Sequence, residues 1–225
     1  MAFEGFDNPH DLERIYARRF EGATLYRDKV WKVLLKDFFS RYTSSAQSVL
    51  DLGCGYGEFI NNVQIGRRYA MDMNPRTRDL LEPGVEFLEQ DCSQTWPLPS
   101  ESLDLIFTSN FFEHLPDKPA LAGTLSEAYR CLRPSGRIMA LGPNCKFTGG
   151  AYWDFFDHHI ALTELSLKEI FEITGFRMEV VIARFLPYTM VNTRQYPMWA
   201  VSLYLKFPLA WRVAGRQFLL VAAKP

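Results

Sequence analysis

The feature that most constrains the fold is an apolar run that ends in three alternating glycines, residues 49–57 (VLDLGCGYG). The apolar positions around Asp51 predict a strand that is covered on both faces, as strands of parallel sheets are. Glycine has no Cβ and tolerates φ > 0, so the loop can turn sharply and let a ligand approach the backbone. Residues 58–63 are predicted as the first helix. Strand, glycine loop and helix together predict a nucleotide-type α/β fold, with the ligand at the carboxyl end of the strand.

The glycine spacing argues against a dinucleotide site. The dinucleotide fingerprint is G-x-G-x-x-G and places pyrophosphate on a helix N-terminus. Here the spacing is G-x-G-x-G, and Glu58 stands where the last glycine would be. Its carboxylate would repel pyrophosphate, so NAD is not expected to bind. A glycine turn without any ligand is the alternative, but each of the next three strands ends in a residue that a cofactor would need.

A carboxylate follows the second predicted strand, residues 68–71. Asp72 can accept hydrogen bonds from both hydroxyls of a ribose, and Met73 beside it can pack on an adenine face. An aspartate at a strand end is often only a turn or cap residue. Its position one strand after the glycine loop favours the ligand role.

Several motifs resemble one enzyme family. The acid-x-Gly-x-Gly-x-Gly pattern resembles the first motif of class I S-adenosylmethionine (SAM) methyltransferases. A proline pair followed by Ser-Glu-Ser-Leu-Asp at 97–104, Glu-His-Leu at 113–115 and Leu-Arg-Pro-x-Gly-Arg at 132–137 resemble its small-molecule, quinone-biosynthesis branch. The resemblance covers residues 48–184 well and the remaining segments poorly. It implies SAM as the cofactor and methyl transfer as the reaction.

The resemblance also implies which residues hold the cofactor. The acid after the third strand and the neighbouring backbone N–H would take the adenine, which assigns Asp91 and Cys92; a helix cap competes as the role of Asp91. N-terminal helices often cover this cofactor, so Tyr26 and Arg27 could reach its carboxylate, with a solvent or core position as the alternative. The complete predicted set is Asp51, Gly53, Cys54, Gly55, Gly57, Asp72, Met73, Asp91, Cys92, Asn110 and Arg27.

Three histidines are the candidate catalytic bases. The loop at 145–160 interleaves aromatic and acidic residues and holds His158 and His159, with Asp157 as a potential orienting partner. His114 follows the fourth strand, where a structural role at a helix entrance is equally compatible. Methyl transfer requires alignment of the reacting atoms, and an oxygen or nitrogen nucleophile can also need a base. A bare His-His pair lacks the further ligands of a zinc motif, so no metal is expected.

The predicted fold is a doubly wound, mostly parallel seven-stranded sheet of the Rossmann-like methyltransferase type, with an antiparallel seventh strand. Residues 1–47 are predicted as a helical cap, with helices near 9–20 and 24–42. Residues 48–225 are predicted as the SAM-binding domain. A chain of 225 residues with 48% hydrophobic content can bury one sizeable core.

An insertion replaces the usual hairpin between strands six (176–184) and seven (217–222). Residues 186–215 are rich in aromatic residues, and Trp199, Leu203 and Phe207 fall on one helical stripe. We predict a lid over a bulky, partly apolar acceptor. Plain packing of the stripe against the sheet is the alternative.

Charge is distributed unevenly along the chain. The net charge of −1 argues against a general nucleic-acid binder. Residues 48–175 carry ten Lys/Arg and eighteen Asp/Glu, whereas residues 176–225 carry seven and one. The acidic part suits a cationic cofactor, and the basic end raises the weaker hypothesis of peripheral membrane contact through 186–215. Scattered cysteines, with neither a signal peptide nor a spanning helix expected, favour a cytoplasmic protein.

The sequence therefore predicts a class I methyltransferase that moves the methyl group of SAM to an O, N or C nucleophile of a small, partly apolar or lipid-linked acceptor. A catalytically silent SAM-binding subunit that serves a partner is one alternative. Methylation of RNA or protein is another. Residues 110–113 (NFFE) depart from the Asn/Asp-Pro-Pro-aromatic motif of base N-methylating enzymes, so DNA is not expected as a partner and RNA is disfavoured. The oligomeric state stays open.

Overall fold

The computed structural model describes residues 24–188 and 195–225. The helix predicted near 9–20 lies outside these ranges, as do residues 1–23 of the predicted cap and residues 189–194 of the insertion. Within them, one sheet organises the chain. Its strands are β1 (Ser48–Leu52), β2 (Arg67–Asp72), β3 (Val85–Glu89), β4 (Leu103–Ser109), β5 (Leu132–Pro143), β6 (Arg177–Ile182) and β7 (Gln217–Ala223).

The strand order is β3-β2-β1-β4-β5-β7-β6. Neighbouring strands from β3 to β5 pair in parallel, and β7 runs antiparallel to both β5 and β6. The predicted fold class is therefore confirmed, including the antiparallel seventh strand. The chain leaves β1 first towards β2 and β3 and later returns beside it as β4. This reversal of strand order creates the crevice where open α/β sheets bind ligands.

Helices cover both faces of the sheet. They are α1 (Thr24–Leu34), α2 (Ser40–Thr43), α3 (Lys118–Cys131), α4 (Cys145–Thr148), α5 (Glu164–Thr174), α6 (Met198–Lys206) and α7 (Pro208–Ala214). Successive strand residues point to opposite faces. Leu50 and Ile106 accordingly share one apolar core with residues of α3 and α5. Val49 and Leu105 share the other core with residues of α1 and α6.

The helix predicted at 24–42 is present, although it is not uniform. A π-helical turn, Leu35–Phe39, joins α1 to α2 and buries Phe38 and Phe39 completely or nearly so. The extra residue of a π turn changes the direction in which the following side chains point. Leu25, which the apolar pattern assigned to the core face, is exposed instead.

One local prediction is wrong. Residues 58–63 form successive turns rather than a helix, because the side chains of Asn61 and Asn62 bond to Glu82 N and to Asp28. Asparagine side chains that bond elsewhere compete with helix formation, and so short a segment nucleates poorly.

The insertion is anchored to the core by its inner side. Leu205 is buried, and the Tyr204 hydroxyl donates a hydrogen bond to the Phe185 carbonyl at 2.6 Å. The indole N–H of Trp211 donates to the Tyr204 carbonyl at 2.8 Å, and its ring lies 5.8 Å from the ring of Phe38. These contacts decide which side of α6 and α7 faces inward.

The predicted stripe lies on the opposite side of the insertion. Trp199 is 70% exposed, Leu203 49% and Phe207 54%. The interpretation that this stripe packs on the sheet is therefore wrong. Periodicity identified a real helical face, but Tyr204, Leu205 and Trp211 form a second face with better partners. Among the described helices, none is long and apolar enough to cross a membrane.

The two faces give a stability prediction. We expect Trp211→Ala to destabilise the protein by about 2–4 kcal/mol, because it removes a half-buried ring and leaves a cavity. The matched variant Trp199→Ala should change stability by less than about 0.5 kcal/mol, as exposed positions usually do. Urea unfolding of both variants measures the difference. Equal destabilisation by the two variants would contradict the assignment of inner and outer faces.

Candidate active site

The glycine loop adopts backbone conformations that few other residues tolerate. Gly53, Gly55 and Gly57 have φ of 67°, 53° and 72°. At Gly53 there is also no room for a side chain, because a Cβ would lie 2.2 Å from two atoms of the Phe111 ring. The loop therefore presents bare backbone at the carboxyl end of β1, as the sequence predicted.

Asp72 ties this loop to the end of β2. Its Oδ2 accepts a hydrogen bond from Gly55 N–H at 2.9 Å, and its Oδ1 accepts one from Asn74 N–H at 2.9 Å. The turn role considered for Asp72 is thus present. An ionised carboxylate offers about four acceptor positions, so capacity for ribose hydroxyls remains. Burial raises the pKa of this carboxyl.

Negative charge concentrates under the loop. Asp51 is buried, and burial raises its pKa well above the ordinary value, with the charges of Glu58 and Asp72 adding to the effect. Burial likewise raises the pKa of the Cys54 thiol, which the Asp51 charge reinforces. A cationic ligand would relieve this repulsion, and a pyrophosphate would increase it. The sulfonium and ammonium groups of SAM therefore fit the site.

The residues after β3 form a turn. Asp91 Oδ1 accepts hydrogen bonds from the N–H and the hydroxyl of Ser93, both at 2.8 Å, so Asp91 closes a turn. Residues 90–102 contain no helix, so the helix cap considered for Asp91 is not observed. Cys92 is buried, its sulfur lies 3.5 Å from the Thr124 hydroxyl, and burial raises the pKa of its thiol to about 12. Their contacts with adenine stay predictions.

Two further predicted cofactor residues lie beside the loop. Arg27 of α1 forms a salt bridge with Glu58, with Nη2 2.7 Å from Oε1, and Met73 is 43% exposed after β2. Helix α1 is thereby fixed at the edge of the glycine loop, where a carboxylate ligand could compete with Glu58 for Arg27. Asn110 ends β4 with φ of 50°, a left-handed conformation that asparagine tolerates better than most residues.

A second group of ionisable side chains meets beyond β4. Glu113 and His114 belong to a 3₁₀ turn, Phe112–His114, and Asp157 and His158 come from the loop after β5. His114 Nδ1 lies 2.9 Å from the Asp157 carbonyl oxygen and 3.2 Å from its Oδ2. We call Glu113, His114, Asp157 and His158 the buried cluster. Their loops are joined through the Glu113 carbonyl, which accepts a hydrogen bond from His159 N–H at 2.8 Å.

The buried cluster has perturbed proton affinities. Burial raises the pKa of the Glu113 carboxyl to about 7. For His114, burial alone would lower the pKa, but the hydrogen bond to Asp157 and the Glu113 charge outweigh it and raise the value. Ligand atoms of Glu113, His114 and His158 all lie within 4.8 Å of one another. The arrangement can therefore hold and pass on a proton near neutral pH. The expected absence of a metal stays a prediction.

The structure separates the two histidines of the predicted pair. His158 is buried in the cluster, with its ring centroid 4.8 Å from that of His114, whereas the His159 side chain is exposed. His159 therefore lies outside the buried cluster, and its role as a base stays a prediction. Glu113 was missed as a functional residue, although its place in the Glu-His-Leu motif next to His114 was the available signal.

Fold and site together define a Rossmann-like SAM-binding domain. Residues 50–140 match the family described as "Methyltransferase domain". A Mycolicibacterium smegmatis protein that is named as a probable S-adenosylmethionine-dependent methyltransferase is 28% identical over 148 residues. The match covers 63% of this chain and 56% of that protein. The malonyl-[acyl-carrier protein] O-methyltransferase of Serratia marcescens is 34% identical over 98 residues, 41% of this chain and 37% of its own length.

A solved SAM-dependent methyltransferase from Archaeoglobus fulgidus has the same fold, with a TM-score of 0.65 at 21% identity, covering 88% of this chain and 94% of that one. The protein therefore contains a class I SAM-dependent methyltransferase domain, and the cofactor of that class is SAM. The chain spans little more than half the length of the M. smegmatis relative and about a third of the S. marcescens relative.

The cofactor site gives a binding prediction. If Asp72 accepts both ribose hydroxyls, Asp72→Ala should weaken SAM binding roughly tenfold to a few hundredfold, because hydrogen bonds to a charged group contribute about 1.5–3 kcal/mol each. Titration calorimetry on the folded variant measures this. Asp79→Ala, an exposed carboxylate in the following turn, is the matched control and should bind normally. Unchanged affinity in the Asp72 variant would remove it from the site.

The buried carboxyl gives a pH prediction. The folded pKa of Glu113, about 7, lies above its ordinary 4.5, so its stabilising contribution is complete below about pH 4.5 and is lost as pH rises through 7. At about 1.4 kcal/mol per pH unit, the loss amounts to up to about 3 kcal/mol. Glu113→Gln removes the titration and should gain stability relative to wild type between about pH 5 and pH 8.

Urea unfolding across this pH range compares Glu113→Gln with the wild type. Glu86→Gln, at an exposed position of β3, is the control and should track the wild type. Parallel stability profiles for all three proteins would show that Glu113 is not held in an environment that opposes its charge.

Proposed function

We propose that the protein transfers the methyl group of SAM to an oxygen or nitrogen of a small, partly apolar acceptor, with the buried cluster as the proton acceptor. The position of this cluster is the observation that carries the proposal. It lies directly after Asn110 at the carboxyl end of β4, the strand next to β1 and its glycine loop. Groups at the ends of adjacent parallel strands lie at the same edge of the sheet.

The geometry of His114 supports its role in handling a proton. A backbone carbonyl can only accept, so the 2.9 Å contact with the Asp157 oxygen assigns a proton to His114 Nδ1. In neutral His114 the lone pair is then on Nε2, which lies 4.0 Å from Glu113 Oε1. That separation is longer than a hydrogen bond, so the Nε2 lone pair can accept the proton of an acceptor hydroxyl or amine. The Glu113 charge favours the imidazolium that forms. A base whose pKa is near the working pH is the most effective kind.

SAM would supply an activated methyl group when bound. The chain is left with positioning the acceptor, removing its proton and keeping water out. The surroundings of the buried cluster favour an acceptor with apolar parts. The Phe155 ring stacks on His158 at 5.2 Å, and the Tyr188 ring meets Phe155 edge-on at 6.2 Å. Tyr188 belongs to the start of the insertion, which supports the lid that we predicted over the acceptor.

The name of the S. marcescens relative favours oxygen as the methylated atom. Our prediction is that wild-type protein, incubated with SAM labelled in its methyl group and with polar and lipid extracts, yields a labelled small molecule that mass spectrometry detects. His114→Gln should lower the rate of labelling by about 10²–10⁴, since that is the usual contribution of a general base. SAM affinity should hardly change.

Matched variants separate the outcomes. His159→Gln should label at the wild-type rate, because its side chain is exposed outside the cluster. If wild-type protein binds SAM but yields neither labelled product nor S-adenosylhomocysteine, the SAM-binding subunit is the better interpretation. Label recovered only in RNA or protein would replace the small-molecule acceptor by a macromolecule. Equal rates for His114→Gln and wild type would exclude His114 as the base.

A further inference from the structure

The insertion carries exposed apolar side chains on both of its helices, which nothing in the described chain covers. Trp199, Leu203 and Phe207 follow one another at four-residue steps along α6 and into the turn after it. Leu209 and Val213 do the same on α7, where they are 70% and 80% exposed. Residues four apart lie on one side of a helix. We call these five residues the outer face.

The exposure of the outer face is fixed by the packing of the opposite sides of α6 and α7. The opposite sides of both helices are held by buried Leu205 and by the hydrogen bonds of Tyr204 and Trp211 described above. Rotating either helix to bury the outer face would break these bonds and expose Trp211. The apolar side chains are therefore presented to the surroundings by the fold itself.

Positive charge accompanies the outer face. Lys206 lies three residues after Leu203, and Arg212 lies three residues after Leu209, so each shares the side of its helix with exposed apolar residues. Both are exposed, and neither forms a salt bridge with another residue in the described ranges. The last acidic residue in the sequence is Glu179, before the insertion begins.

This combination favours an anionic lipid surface over a second copy of the chain. A symmetric dimer through the outer face would bring two sets of exposed cations together, and opposed like charges are costly. Short helices with Trp, Phe and Leu on one side and flanking Lys/Arg instead suit the boundary between lipid headgroups and acyl chains. Tryptophan is well suited to that boundary, since its ring is apolar and its N–H is polar.

The insertion that bears the outer face joins the sheet at the same edge as the candidate active site. The register pairs Ile182, at the end of β6, with Leu219, and pairs Gln217, at the start of β7, with Pro143 at the end of β5. Both ends of the insertion therefore emerge at the carboxyl edge. Tyr196 N–H also bonds to the hydroxyl of Tyr26 on α1 at 2.9 Å, which ties the insertion to the helix beside the glycine loop.

We propose that the outer face, Trp199, Leu203, Phe207, Leu209 and Val213 with Lys206 and Arg212, docks the protein on anionic lipid membranes. Docking is peripheral and places the carboxyl edge of the sheet next to the lipid. This surface does not depend on the reaction proposed above, because lipid binding needs neither SAM nor an acceptor.

Co-sedimentation of the whole protein with lipid vesicles tests the proposal. The protein should sediment with vesicles that contain phosphatidylglycerol and should stay in solution with pure phosphatidylcholine vesicles. Binding should weaken when salt rises from about 0.05 M to about 0.5 M, because screening shortens the reach of the headgroup charges. Lys206→Gln and Arg212→Gln should each lower partitioning about fivefold.

An apolar substitution and its control complete the test. Phe207→Ser should lower partitioning at least about tenfold, whereas Ile173→Ser, a still more exposed apolar position on α5, should not change it. Thermal unfolding confirms that each variant is folded. Absence of binding to anionic vesicles at low salt would overturn the proposal. A dimer that is lost in Phe207→Ser, without vesicle binding by wild type, would assign the face to a second copy instead.

Discussion

The position of β1 is the constraint on which the rest of the structure depends. All five residues from Ser48 to Leu52 are buried, and β2 and β4 pair with the strand on its two sides. The neighbouring strands therefore hold the carboxyl end of β1 in place. The chain leaves the sheet within a few residues of that end. The glycines make that exit possible because they accept positive φ. The hydrogen bond from Gly55 N–H to Asp72 then fixes the loop to the end of β2.

Much of this could be predicted from the sequence, for physical reasons. Buried parallel strands are apolar runs, so β1, β4 and β7 were recognisable without neighbours. Helix α5 has local signals at both ends, with the Thr163 capping box and Gly175 at φ of 107°. The polar residues that follow the strands could be assigned to one edge of the sheet, because parallel strands have their carboxyl ends at the same edge. These features depend on local sequence or on a simple topology, and in such cases pattern and structure agree.

The features that could not be predicted are those for which the sequence allows two alternative arrangements. Both sides of α6 and α7 are apolar, so periodicity could not decide that Trp211 faces inward and Trp199 outward. That choice rests on the partners Phe185 and Tyr204, which the fold brings close. The grouping of the buried cluster could not be predicted for a similar reason, although three of its members were named as candidates. Glu113 and His158 belong to segments that are distant in sequence, and only the pairing of their loops unites them.

The roles proposed for the buried cluster and for the outer face both concern an acceptor that is partly apolar. A partly apolar acceptor is scarce in water and concentrated in or at a lipid surface. An active site that faces water binds such an acceptor only after it has left the lipid, which costs free energy. A site whose entrance lies against the lipid surface receives the acceptor directly. Tyr188, at the start of the insertion, contacts Phe155, which stacks on His158. The same insertion that bears the outer face therefore reaches the cluster, so the proposed membrane contact and the proposed entry of an acceptor would share one structural element.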